Sequence, residues 1–227
     1  MKIAVFGTGS VGQAIAGKLA QINHEVMIGT RSLEETMART EPDMFGQPPF
    51  SAWLAQNPVV LVGLFTEAAN FGEVLINATN GMGSLEALNQ AGEANLNGKI
   101  LIDIAVPLDF SRGMPPFLSV SNTDSLGEQI QRAFPQLKVV KTLNTVTARL
   151  MVNPNLVGNG EHTIFVSGND SGAKAHVSGW LASWFGWKDI LDLGDITTAR
   201  GVEMYLPLWL RLWGATGSGI FNIKVVK

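Results

Sequence analysis

Short runs of aliphatic and β-branched residues alternate along this chain with stretches whose apolar positions recur at helical spacing. Ile3–Phe6, Glu25–Ile28, Val59–Phe65, Val74–Asn77, Ile100–Ile104, Val139–Thr142, Thr163–Val166 and Ile190–Leu193 have the composition and length of strands. Between the first two, Val11, Ile15 and Leu19 stand four apart and form one apolar stripe on a helix. Ser32-x-x-Glu35 and Ser125-x-x-Glu128 have the form of capping boxes, and the helix after the second stops at Pro135. Strands alternating with helices predict parallel βαβ units and an α/β fold.

Two connections exceed the usual few residues: Thr40 to Pro58 and Ala105 to Thr123, each with three prolines between its ends. Both read as ordered loops. The second follows a strand end, where open α/β sheets keep their ligands, and is expected to form a pocket wall. No repeat or linker separates two halves, so the last third should pack as a continuation of the first.

With 227 residues the chain can bury a large core, and its 46% hydrophobic and 15% charged composition excludes disorder. The net charge of −3 gives no general attraction to nucleic acid or anionic lipid. Absence of cysteine excludes thiol catalysis, Cys-zinc sites and disulfides, and suits the cytoplasm. Met1 to Gly7 reads as a strand rather than a signal segment, and no apolar run approaches the ~20 residues of a membrane span. No metal site is expected.

The most specific signal is Gly7-Thr8-Gly9-Ser10-Val11-Gly12, a complete G-x-G-x-x-G between an apolar strand and a helix. Gly7 permits the tight turn, Gly9 lets a pyrophosphate approach the backbone, and Gly12 allows close packing of helix and strand. Free amides and the positive helix end then hold the diphosphate. After the second strand stand Thr30, Arg31 and Ser32, with no carboxylate for a ribose 2′-hydroxyl. Two hydroxyls and a guanidinium suit a 2′-phosphate, so NADP(H) is the expected cofactor.

Hydride transfer to a carbonyl needs a proton donor, and none stands out, so no catalytic residue is assigned. Tyr205 has Trp209 rather than Lys four residues on; His24, His162 and His176 read as surface or packing residues. Lys141 and Lys174 fall in ordinary strand and helix contexts, and Asp103 reads as a turn-holding residue at a strand end. A flavin-like acceptor takes hydride directly and chiefly needs two flat rings stacked in a shielded cleft. Strand-end segments 64–66, 78–81, 103–107 and 143–146 would build that cleft, with Ala78, Thr79, Asn80, Ala105 and Pro107 among the cofactor-binding candidates. Met204 to Trp213 is apolar nearly all round and reads as core or subunit interface rather than cofactor contact, with Arg211 pairing with Glu203 or facing a polyanionic substrate tail.

Together the glycine turn, Gly29-Thr30-Arg31-Ser32, the strand Gly98–Asp103 and the segment Val139–Val146 resemble, in order and spacing, the NADP oxidoreductases dependent on coenzyme F420, a deazaflavin. The resemblance implies a Rossmann-type, doubly wound, mainly parallel sheet: residues 1–148 as the NADP-binding domain and 149–227 as a small C-terminal α/β portion packed on it. It also implies reversible hydride exchange between NADPH and F420 or a flavin, and a homodimer, towards which the low charged fraction also points. Thr30, Arg31 and Ser32 match the segment that takes the 2′-phosphate; Asn144 and Val146 match the shelter of the nicotinamide. Asn144 departs from the family's frequent His, and Glu35 stands where a second cation is common, although Arg39 could reach the phosphate from the following helix. Two other readings share the fingerprint: a non-enzymatic NADP(H) sensor, and a small imino-acid or hydroxyacid reductase, which the short C-terminal portion disfavours.

Overall fold

The computed structural model describes residues 1–42 and 48–227, so positions 43–47 of the 40–58 connection lie outside the described residues. The strands in chain order are β1 Lys2–Phe6, β2 Glu25–Thr30, β3 Leu61–Leu64, β4 Val74–Asn77, β5 Ile100–Asp103, β6 Leu108–Asp109, β7 Phe117–Leu118, β8 Lys138–Thr142, β9 Thr163–Ser167 and β10 Asp189–Asp192. The α-helices are α1 Ser10–Gln21, α2 Leu33–Ala38, α3 Phe50–Gln56, α4 Phe65–Phe71, α5 Ser84–Ala91, α6 Glu93–Leu96, α7 Leu126–Ala133, α8 Ala148–Val152, α9 Ser171–Trp180 and α10 Ala199–Thr216. All eight strand segments expected from composition form strands, and both capping boxes open helices, with Ser32 and Ser125 accepting from Glu35 N and Glu128 N.

Eight strands make one sheet in the order β10-β9-β8-β5-β4-β1-β2-β3, parallel except for β8 against β9. Its core follows from the two-residue period of a strand. Ile3, Val5, Ile76, Ile102 and Val140 face one apolar layer, while Ala4, Phe6, Leu75, Leu101 and Val139 face the other. A parallel sheet covered on both sides must be apolar on both, which is why these strands lack polar alternation. α1 packs Ile15 and Leu19, both fully buried, into the first layer, worth about 1.5–3 kcal/mol per side chain.

Residues beyond 148 supply β9 and β10 to this same sheet. The 40–58 connection is not a plain loop, because α3 occupies part of it and stacks Phe50 on Trp53 at 5.7 Å. The 105–123 connection is also partly ordered, as the antiparallel pair β6 and β7. β1 lies between β2 and β4, and the chain departs from it in opposite lateral directions, so a crevice opens at the carboxyl ends of β1 and β4.

Candidate functional site

At that crevice β1 ends in Gly7, whose φ of +118° only glycine adopts without strain, and whose amide donates to Gly29 O at 3.0 Å. A Cβ on Gly7 would stand 2.4 Å from Ala78 O, and one on Gly12 would stand 2.0 Å from Gly7 O. Neither site has room for a side chain. Gly9 differs: a Cβ there would meet nothing within 4 Å. It is the N-cap of α1 and supplies no side chain to the first-turn amides, so these face the crevice without a capping group. Gln13 Nε2 donates to Thr8 O at 2.8 Å and holds the turn from below. A glycine bend, an open cradle above it and uncapped helix amides fit a diphosphate.

Three adjoining cavities run across the crevice. The one towards β2, about 320 Å³, is lined by Gly7, Thr8, Gly9, Thr30, Arg31, Ala78, Thr79 and Asn80 among others. The central one, about 430 Å³, shares Gly9, Ala78, Thr79 and Asn80 and adds Ser10, Val11, Ala105, Val106, Leu108, Phe110, Asn144 and Met151. The structure thus gathers most of the candidates named from the sequence around one groove. Gly12 lies beneath it as a packing residue, and Pro107 lies outside all three linings, its carbonyl accepting from Ser119 N at 2.8 Å. Its neighbours Val106 and Leu108 face the groove instead.

At the β2 end the hydroxyls are already engaged. Thr30 Oγ1 and Thr36 Oγ1 share a 2.7 Å bond, Thr36 also accepts from Arg39, and Ser32 caps α2. Arg31 is two-thirds exposed at the rim, 3.8 Å from Glu35. Arg39 lines a further pocket beside Thr8, Gly9 and Gln13.

The third cavity, about 390 Å³, adjoins the central one through Ser10, Val11, Leu108, Phe110 and Met151. Its other walls include Met114, Pro116, Val146, Arg149, Leu206, Trp209, Leu210 and Trp213. The expectation that 105–123 forms a pocket wall is met by Leu108, Phe110, Met114 and Pro116. Val146 belongs to this slot rather than to the central cleft beside Asn144. The C-terminal apolar stretch, expected as core or subunit interface, supplies wall residues to this cavity, because an apolar slot demands the same side chains as a core. Trp209 stacks on Phe221 at 5.5 Å and tilts against Trp213 at 5.6 Å, giving the slot flat aromatic surface.

Beneath the groove lies a charge cluster that local sequence context did not reveal. Lys141, far from ordinary, is fully buried and donates from Nζ to Asp103 Oδ2 at 2.9 Å, to Glu203 Oε1 at 2.8 Å and to the Ala105 carbonyl. Glu203 therefore pairs with Lys141 and not with Arg211, and it accepts from Leu126 N at 2.9 Å and Gly127 N at 3.1 Å at the start of α7. At Asp103 burial outweighs the attraction of Lys141 and raises the carboxyl above the usual range. At Lys141 burial pulls the other way, but Asp103 and Glu203 prevail and hold the ammonium above the usual lysine value. Asp103 does hold a turn, accepting from Ala105 N at 3.3 Å, and it also receives Asn77 Nδ2 at 2.8 Å. His162 packs, as its context suggested, with Nε2 against Pro154 O at 2.9 Å and its ring edge-on to Trp187. Among the described residues no group of His, Cys, Asp and Glu is arranged to hold a metal ion, and no helix is long and apolar enough to cross a membrane.

A sequence profile described as NADP oxidoreductase, coenzyme F420-dependent, matches residues 2–107. A crystal structure from Arthrobacter sp. FB24, provisionally described as an F420-dependent NADP reductase, is 58% identical, with each chain covering 100% of the other and a TM-score of 0.95. The F420-dependent NADP reductase of Methanothermobacter marburgensis is 27% identical over 93% of this chain and 92% of its own. An imine reductase from Myxococcus stipitatus shares the fold alone: 14% identity, TM-score 0.60, 95% of this chain and 63% of that one. With a relative this similar along its whole length, the chain belongs to the family of coenzyme F420-dependent NADP oxidoreductases.

Proposed function

We propose that this protein exchanges hydride between NADP(H) and the deazaflavin F420, binding the two in adjoining parts of one groove. The observation that carries the reading is the shared wall of Ser10, Val11, Leu108, Phe110 and Met151, which joins the cleft over the glycine turn to an apolar, aromatic-sided slot. The diphosphate sits on the α1 amides above Gly7, Thr8 and Gly9. Arg31 receives the 2′-phosphate at the rim, with Thr30 and Ser32 shaping the turn beneath it. Ala78, Thr79, Asn80, Ala105 and Asn144 border the path towards the nicotinamide end of the cleft, while Val146 faces the slot that receives the deazaflavin ring.

The bound pair supplies the redox chemistry: NADPH, oxidised carrier and one solvent proton give NADP⁺ and reduced carrier. The residues contribute position and dryness. Asn144 is held by its own bond from Nδ2 to Val202 O at 2.9 Å, and Leu108, Phe110 and Met151 exclude water between the two sites. Among the described residues Arg149 alone brings charge to the slot wall, and direct hydride exchange between two ring carbons needs no protein acid. The protein works in the cytoplasm as a homodimer, a state favoured by the exposed Met204 and Leu208 on α10 and Val226 beyond it.

Mixing protein, NADPH and F420 tests the reading: the nicotinamide absorbance should fall only when both are present. NADPH binding without turnover with F420 or any flavin would contradict it and favour a sensor.

A further inference from the structure

The cluster beneath the groove is bonded to three of its walls: the 103–107 floor, the Thr79 side and the helix α10. Lys141 holds the carbonyl of Ala105 while Asp103 holds its amide, so both backbone polar groups at this position are turned inward, away from the cleft. From Asp103 the bonds continue through Asn77 Nδ2 at 2.8 Å; Asn77 Oδ1 in turn accepts from Thr79 Oγ1 at 2.7 Å, in the wall shared by the first two cavities. On the other side Lys141 grips Glu203, one turn of α10 before Leu206 and two before Leu210, both of which line the slot. Asn144, in the central cleft, bonds to the carbonyl of Val202 next to Glu203. Buried charges this closely paired are costly to assemble and unforgiving when one partner is lost, and an apolar replacement often serves stability as well. Their placement between two binding sites calls for a reason beyond stability.

We infer that Lys141, with Asp103 and Glu203, is a positioning group that sets the spacing between the cofactor cleft and the slot by tying the 103–107 floor to the slot-forming helix. The inference rests on the proposed function for its kinetic consequence but not for its structural one. The Gly7–Gly12 turn and Arg31, which hold the phosphates, are outside the network, so the phosphate share of cofactor affinity is separable from spacing.

Two variants test it. Lys141→Met leaves two buried carboxylates, and its stability will suffer. The double variant Asp103→Asn with Lys141→Met keeps the charge of the cluster unchanged, at one net negative, and recovers much of the lost thermal stability while still lacking the bond to Ala105. In the double variant kcat/KM for F420 should fall about 100-fold, the scale of a misplacement near 1 Å. The Kd for NADPH should stay within about threefold, a tenfold change being about 1.4 kcal/mol. Amide hydrogen exchange should quicken at residues 104–106 and not at Ser10–Gly12. Wild-type kinetics in the double variant, or losses in NADPH affinity and kcat/KM that follow melting temperature together, would overturn the inference. Wild-type protein that turns over no carrier contradicts the proposed function instead, and the exchange pattern alone then decides whether the network positions the floor: unchanged rates at 104–106 overturn it.

Discussion

Gly12 lies against Gly7 so closely that a Cβ on the first would stand 2.0 Å from the carbonyl oxygen of the second. At Gly9, two residues after Gly7, the same addition would point into open space. The three glycines of one motif therefore have separable roles, two in shaping the turn and one in leaving room above it.

Gly12→Ala should lose stability and cofactor binding together, because the turn must move; overpacking of this kind costs about 1–3 kcal/mol. Gly9→Ala should melt like the wild type yet bind NADPH at least about tenfold more weakly, since its methyl enters the proposed pyrophosphate position. Thermal melts and calorimetric titration on both variants check the pair. Wild-type NADPH affinity in Gly9→Ala would show that the bend carries no ligand.

Arg31→Glu should raise the Kd for NADPH about 10- to 150-fold, the loss of a charge-assisted bond worth about 1.5–3 kcal/mol, while NADH changes little. Thr30 and Ser32 already spend bonding capacity inside the protein, so the guanidinium carries most of the discrimination. Parallel titrations with both dinucleotides decide it, and equal losses would assign Arg31 to the fold.

Trp209→Ala removes a ring that stacks on Phe221 and lines the slot. Stacking of a flat heterocycle on an aromatic side chain is worth about 1–3 kcal/mol, so the KM for F420 should rise about tenfold or more with NADPH affinity unchanged. Steady-state kinetics with each substrate varied separates the two, and an unchanged KM for the carrier would remove the slot from the account.

Acid should act through Asp124, whose bonds from Arg132 at 2.8 and 2.9 Å and from Gln129 lower its pKa from 3.8 to about 2. A depressed carboxylate stabilises fully above its unfolded value and loses that contribution as pH falls through the folded one. Arg132 is largely exposed, so solvent screening reduces the gain to about 1 kcal/mol, or about 2–4 °C in Tm for a chain of this size. Asp124→Asn should show that deficit at pH 6 and only a small part of it near pH 2. A deficit independent of pH would mean that the pair is not its source.

Much of the architecture was legible because buried parallel strands advertise themselves as aliphatic runs, and because the glycine turn has few physical solutions. The direction of β9 against β8 was not, since composition says nothing about the sense of pairing. α10 was legible only in part for a related reason: Leu206, Trp209, Leu210 and Trp213 look alike whether they face a core, an interface or an apolar slot. The charge cluster was invisible for want of proximity, Lys141 and Asp103 being 38 residues apart and joined only by the adjacency of β5 and β8.

Deuterium carried at both C4 positions of the reduced nicotinamide gives the most direct test of the central claim, that hydride passes between two stacked carriers with no protein acid in between. The account predicts that the label appears on carbon in the reduced deazaflavin, one atom per turnover, with none released to water. Label recovered in solvent, or reduced carrier containing only solvent hydrogen, would contradict it.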